Sequence, residues 1–265
     1  MKLKKLLLGS ALLSSMLFAG GDIVPVEPIV ETPVEETDNW EFNLAPFYLW
    51  AMDMSGDATV GDNTSVVDVS FDAITDNLEA AFIVHFEGMH QSNFGFLVDI
   101  NYVSLGGSQT ILPLKKELNV DMDMTIAEFS ALYRMQMDEH AFDLIAGMRY
   151  INIDMDIKIN SLGPLSGFGP SPKIDWLDPL VGARWMYNIN EEWSVLARAD
   201  IGGFGIGSDT AWQALGMVEW KPYENVSFIA GYRVLDMDYD QGFGPTYFRY
   251  NVKSAGPLVG VNFRW

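Results

Sequence analysis

The residues best suited to chemistry in this chain are three histidines, three Asp-Met-Asp triplets and seven arginines. A histidine base needs a hydroxyl or carboxylates beside it. His85 has Glu87 two positions on, and both share a strand face with Asp99 of the following segment in reach. His90 and His140 fall in short turns, where no partner set converges on them. His85 is therefore read as a buried, paired side chain, and no catalytic residue is assigned. The triplets Asp121-Met122-Asp123, Asp154-Met155-Asp156 and Asp236-Met237-Asp238 present carboxylates in pairs. Hard cations take oxygen ligands, so these pairs could bridge Ca²⁺ or Mg²⁺ to phosphates, but solvated outer strand faces account for them more simply. Met122, Met124, Met155 and Met237 would suit a soft metal only with Cys or His nearby, and neither accompanies them. They are read as apolar lining, and no metal or cofactor is expected.

Strands are needed to position these residues, and the last segment is the plainest of them. From Ala255 to Trp265, Ala255, Pro257, Val259, Val261, Phe263 and Trp265 alternate with Gly256, Leu258, Gly260, Asn262 and Arg264. An alternating strand that ends the chain on an aromatic residue is the pattern of a lipid-facing barrel strand. Turn signals divide the rest into runs of similar character, about ten strands in all: 41–52, 79–90, 94–105, 117–135, 141–160, 173–188, 193–205, 210–221, 225–240 and 246–265. Four connections are short (His90 to Ser92, Gln136 to His140, Ile189 to Glu192, Pro222 to Glu224), whereas Met54 to Leu78 and Ser161 to Pro172 are long. Short periplasmic turns and long extracellular loops are the plan of an antiparallel up-and-down transmembrane β-barrel, with eight or twelve strands as alternatives to ten. In the first long loop, Ser70 is placed to cap a short helix whose Phe71, Ile74 and Leu78 share a face; an extra hairpin is the other reading.

Apolar residues assign each strand an outward parity that carries seven of the eight Trp and leaves only Trp176 inside. The opposite parity collects a lumen charge network: Glu87, Asp99, Glu128, Arg134, Asp143, Arg149, Asp178, Arg184, Arg198, Asp200, Glu219, Arg233 and Arg264. Six arginines against seven carboxylates is close to neutral, which implies mutual pairing and not a one-signed selectivity ring. A tight turn at Asp138-Glu139 sets Arg134 opposite Asp143 and Glu128 opposite Arg149. Four strands exceed the roughly 9 to 11 residues a bilayer requires, and their far ends keep parity while exchanging polarity. Met122, Met124, Ile153, Met155, Met237 and Tyr239 then line an apolar extracellular mouth, with Leu118, Val120 and Ile157 continuing it.

The chain begins with Lys2, Lys4 and Lys5 before an apolar run from Leu6 to Phe18, which reads as a signal peptide over 1–19. Residues 20–39, rich in Pro and Glu, read as a periplasmic linker, and 40–265 as the barrel. With no Cys, neither a lipoprotein anchor nor a disulfide framework is available, and a net charge of −20 disfavours nucleic acid.

The stretch from "WEFNLAPFYLWAMDMSGDATVG" through "VDVSFDAITDNLEAAFIVHFEG" to "FGFLVDINYVSLG" resembles the start of a group of uncharacterised small outer-membrane β-barrel proteins of Gram-negative bacteria. The resemblance spans Trp40 to Gly106 and implies a fold and an outer-membrane location, without an activity or a catalytic set. The expected function is non-enzymatic: a small channel-like or structural barrel that passes small apolar solutes, with a lipid-modifying or proteolytic enzyme as the alternative. Expected partners are outer-membrane lipid, lipopolysaccharide and, through the strand ending at Trp265, the barrel-assembly machinery.

Overall fold

The computed structural model describes residues 39–111, 116–160, 167–168 and 173–265. The expected leader and nearly all of the linker, most of the Ser161–Pro172 connection, and the side chains of Leu118, Val120 and Ile157 lie outside the described residues. Among the described residues, thirteen strands, one short α-helix and one 3-10 turn (Gly244–Thr246, before the last strand) occur, in the order β1 (Trp40–Trp50), β2 (Asp53–Val60), β3 (Asn63–Val69), α1 (Phe71–Asp76), β4 (Leu78–His90), β5 (Phe94–Ile111), β6 (Lys116–Met137), β7 (His140–Asn160), β8 (Gly167–Phe168), β9 (Lys173–Asn188), β10 (Trp193–Gly202), β11 (Thr210–Trp220), β12 (Val226–Gln241) and β13 (Phe248–Arg264). Ten of them, all but β2, β3 and β8, pair antiparallel in sequence order, and β13 returns to β1. The last rung uses the final residue. Phe42 N–H donates to the Trp265 carbonyl at 2.9 Å, and Trp265 N–H to the Phe42 carbonyl at 3.1 Å. Closure leaves the ten-strand wall without a free edge at its base.

Turn chemistry sets the register where the chain reverses tightly. Asp138 adopts φ 49, the left-handed conformation a two-residue hairpin turn requires, and β6 and β7 pair from Met137–His140 upward. Arg134 consequently faces Asp143, and Glu128 faces Arg149. Large apolar side chains cover the outer surface, among them Phe82, Phe129, Leu144, Val181, Trp212, Tyr232 and Val259.

Two strand expectations are corrected, and the helix expected in the first long loop is found, together with the hairpin that was its alternative. The first strand does not run unbroken to 52: its register with β13 shifts between Leu44 and Phe47, a bulge that contains Pro46. One extra residue moves every later side chain to the other face. Trp50, expected outside, is therefore buried, with the Arg233 guanidinium 4.7 Å from its ring centroid. The long first loop holds both of its alternative elements. The β2–β3 hairpin extends the wall by pairing Asp53–Val60 with Phe248–Ala255, and α1 follows it. Ser70 caps that helix by accepting the Ala73 N–H at 3.2 Å, and Ile74 is turned into the interior. The strand expected to stop at 105 continues to Ile111, because β6 offers it a partner along its whole length.

Beyond the lipid-facing band, the wall has the reversed polarity. Asp123 and Asp156 are exposed, while Met124, Ile126, Ile151, Ile153, Met237, Tyr239, Phe248, Tyr250 and Val252 are buried together. They form a packed core. Trp176 and Tyr239 stack at 4.1 Å between ring centroids, and Met122 and Met155 pack against the edge of the cluster. Each large apolar side chain so buried contributes roughly 1.5 to 3 kcal/mol, which holds together a wall that has no bilayer to brace it.

Candidate functional site

The interior divides into three levels along the barrel axis. From the short-turn end a cavity of about 420 Å³ runs inward, lined by Glu41, Gln136, Asn188, Lys221 and Arg264 at its mouth and by Glu87, Arg184, Arg198 and Arg233 deeper in. Glu219 and Arg264 flank it at 3.1 Å, with Ser194 and Ser227 hydroxyls donating to Glu219 and Asn43 accepting from Arg264.

The middle level is a block of paired charges in two halves. In the first, Arg184 donates in a bidentate fork to Glu87 at 2.6 and 2.7 Å and also reaches Asp143. Arg134 forks onto the same Asp143 at 2.8 and 3.0 Å. In the second half, Arg149 contacts Glu128 at 3.0 Å and Asp200 at 2.8 Å, and Arg198 contacts the same two carboxylates. Gln213 relays from Asp200 to Arg233, whose other arm lies 3.3 Å from Asp99. His85 joins the halves, 3.2 Å from Asp99 and 3.8 Å from Glu87. Five arginines and five carboxylates balance here, and nine of the ten are almost fully buried, Arg134 being the exception. Fork geometry and shared carboxylates satisfy several donors at once, which offsets the desolvation of so many charges.

Two features of this block go beyond the sequence reading. Arg184 and Arg198 face each other directly, as do Asp99 and Glu128. Each like-charged pair is tolerated because its members lean apart, toward partners across the lumen. Gln213, Asn101 and Asn43 were missed, although Gln213 lies on the inward parity opposite Asp200, a signal that strand pairing carries.

Asp178 lies at the top of the block and has a different task. It accepts from the Ser208 N–H at 2.6 Å, the Ser208 hydroxyl at 2.8 Å and the Trp176 indole at 3.2 Å. Through these bonds it draws the connection between β10 and β11 inward, where Ser208 is fully buried. Above it lies the apolar core already described.

The chain aligns with the outer membrane protease OmpT from Escherichia coli at 8% identity and a TM-score of 0.52, over 89% of this chain and 99% of that one. By fold, the protein is an outer-membrane β-barrel. The translocator domain of autotransporter NalP from Neisseria meningitidis aligns at 12% identity and TM-score 0.49, covering 87% and 90% of the two chains. The toluene transporter TodX of Pseudomonas putida aligns at 8% and 0.33, covering 86% and 90%. No family model matches the sequence, and no curated protein does. At such identities the likeness concerns the fold alone.

In an outer-membrane barrel the short turns face the periplasm. The 420 Å³ cavity is then a periplasmic vestibule, and the apolar core is extracellular. His90 is hydrogen-bonded to Ser92 in its own turn at 2.8 Å, and His140 stacks on Tyr187 at the periplasmic edge. On the outer wall, Asp123 accepts the Tyr102 hydroxyl at 2.9 Å, Asp154 lies 3.4 Å from Lys173, and Asp238 pairs with Arg249 at 3.0 Å. Among the described residues, no group of three or more His, Asp or Glu is arranged to hold a metal ion.

Proposed function

We propose that the protein is a non-enzymatic, ion-tight barrel of the outer membrane whose extracellular half handles small apolar molecules. The block of five arginines and five carboxylates carries this reading. A water-filled pore keeps its charges solvated and usually of one sign at the constriction, whereas here both signs are buried and mutually bound. The 420 Å³ cavity, which the block residues Glu87, Asp99, Arg198 and Arg233 help to line, shares no lining residue with the apolar pocket near α1, in keeping with a barrier between the two. Each of the three histidines has a structural partner, in keeping with the non-enzymatic reading.

Export by the signal peptide at 1–19 and assembly through the strand ending at Trp265 belong to the same proposal, with lipid and lipopolysaccharide as the surroundings of the outer wall. Recording from the protein in planar bilayers tests it. Silence at all voltages is the expected result; steady ohmic conductance would mean a hydrated lumen and overturn the reading.

A further inference from the structure

We propose that the barrel wall has a lateral port between β1 and β4 that admits the acyl chain of a membrane lipid to an apolar pocket beneath α1. The inference deepens the proposed function by naming the class of apolar molecule. The backbone supplies the first observation. β1 and β4 pair from Trp40–His90 to Ala45–His85 and no further. Above that point β1 continues to Trp50 bound only to β13, and β4 from Leu78 to Val84 is bound only to β5. Two strand edges therefore face each other unpaired over several residues. Pro46 stands where pairing stops. It has no N–H to donate, and it sits in the bulge that swings the upper part of β1 away from its earlier course.

The pocket supplies the second observation. It is lined by Leu49, Trp50 and Met52 on one side and by Leu78, Ala81 and Ile83 on the other, with Met124 and Ile126 deeper and Phe71 and Ile74 above. Leu49 and Leu78 are about half exposed, whereas Trp50, Met124 and Ile126 belong to the buried core. A single pocket lined by outward and inward side chains crosses the wall. Its outer end is continuous with the lipid-facing surface, since Leu49 is the neighbour of Val259, and Phe82 lies just below on β4. The bond from Tyr102 to Asp123 marks the change to the polar wall immediately above, so the port lies at the outer-leaflet end of the lipid band.

Size and polarity select the occupant. The pocket holds about 90 Å³, less than the roughly 150 Å³ apolar cavity that accommodates benzene, so a thin unbranched chain fits better than a ring. Its lining is mainly apolar, with polar side-chain atoms from Asn101, Thr75, Tyr102 and the Trp50 indole alone and no charged group, so the polar head of the lipid must remain outside. The lipid's chain end would replace water or void against Trp50, Met124 and Ile126, while its glycerol stays level with Tyr102.

The test uses the full chain in vesicles of phosphatidylcholine that carries a photoreactive diazirine near the end of one acyl chain. After illumination, peptide mapping locates the adducts. Adducts on Trp50, Met124 or Ile126 are expected in addition to those on outward residues such as Phe82 and Val259. Ala81→Trp, which fills the port, should reduce the inner adducts at least tenfold and spare the outer ones. Adducts confined to outward residues in the wild type would overturn the proposal, as would inner adducts that persist undiminished in Ala81→Trp. Conductance in the same vesicles separates this failure from that of the ion-tight reading: a silent barrel without inner adducts sinks the port alone, whereas a conducting barrel sinks the barrier whatever the adducts.

Discussion

The inward face of the barrel carries the ion pairs in its periplasmic half, with a small apolar cluster of Met89, Leu97, Leu132, Ile145 and Leu180 among them, and is apolar in its extracellular half, although the same alternating positions of the same strands line both. On β7, Asp143 and Arg149 give way to Ile151 and Ile153 without any break in parity. What changes is the solvent outside. Where lipid surrounds the wall, its outer positions are apolar and directional ion pairs fill the lumen. Where water surrounds it, the outer positions are Asp and Asn, and the interior is packed like the core of a soluble protein. Each half keeps one polar and one apolar face, so every strand remains amphipathic throughout its length. Specificity comes from fork-shaped hydrogen bonds below and from shape above.

Substitutions can break or sharpen this contrast. The largest effect is expected from Arg184→Ala. It leaves Glu87 with Arg134 at 3.4 Å and His85 at 3.8 Å as its remaining cationic neighbours, and it unbalances the block by one charge. A buried pair broken in this way costs about 3 to 5 kcal/mol, to be read from urea unfolding in vesicles by tryptophan fluorescence. If the cost were below about 1 kcal/mol, the charges would be hydrated and the two halves would not differ as described.

In the upper half, Ile151→Ala removes a fully buried side chain from the core and should cost roughly 2 to 5 kcal/mol, with bilayer recordings unchanged because no charge is disturbed. A neutral result would mean that this half is loosely packed. The smallest effect belongs to Asp238→Ala on the outer wall. Its pair with Arg249 is partly exposed on both sides, so a loss of about 0.2 to 1 kcal/mol, diminishing further in high salt, is expected from the same unfolding measurement.

Much of this arrangement was legible before folding. Outward parity followed from Phe129, Leu144 and Val181 and their like, because a strand turns alternate residues to opposite faces whatever the rest of the chain does. The match of Glu128 with Arg149 was legible because a two-residue turn at Asp138-Glu139 leaves one register for the strands that follow. Trp50 was misplaced because a bulge is a property of two strands together: the shift opposite β13 is what turned it inward. The apolar positions above the block suggested an open mouth. Whether such positions enclose space or fill it depends on barrel width and on elements that come from elsewhere, here Ile74 of α1 and Met54 of β2.

By itself, then, the sequence determined which residues face in, which face out, where the chain reverses and where the outer solvent changes, since all of these rest on periodicity and turn chemistry within a few residues. Beyond the two pairs set by the Asp138-Glu139 turn, only the tertiary structure decided which charges meet. Arg184 finds Glu87 across 97 positions of chain, and its facing neighbour Arg198 is drawn instead to Glu128. It also decided that β1 and β4 part above Ala45. Both outcomes depend on how ten strands close around one axis, and the tilt and stagger of that closure are set by the whole wall and not by any single strand.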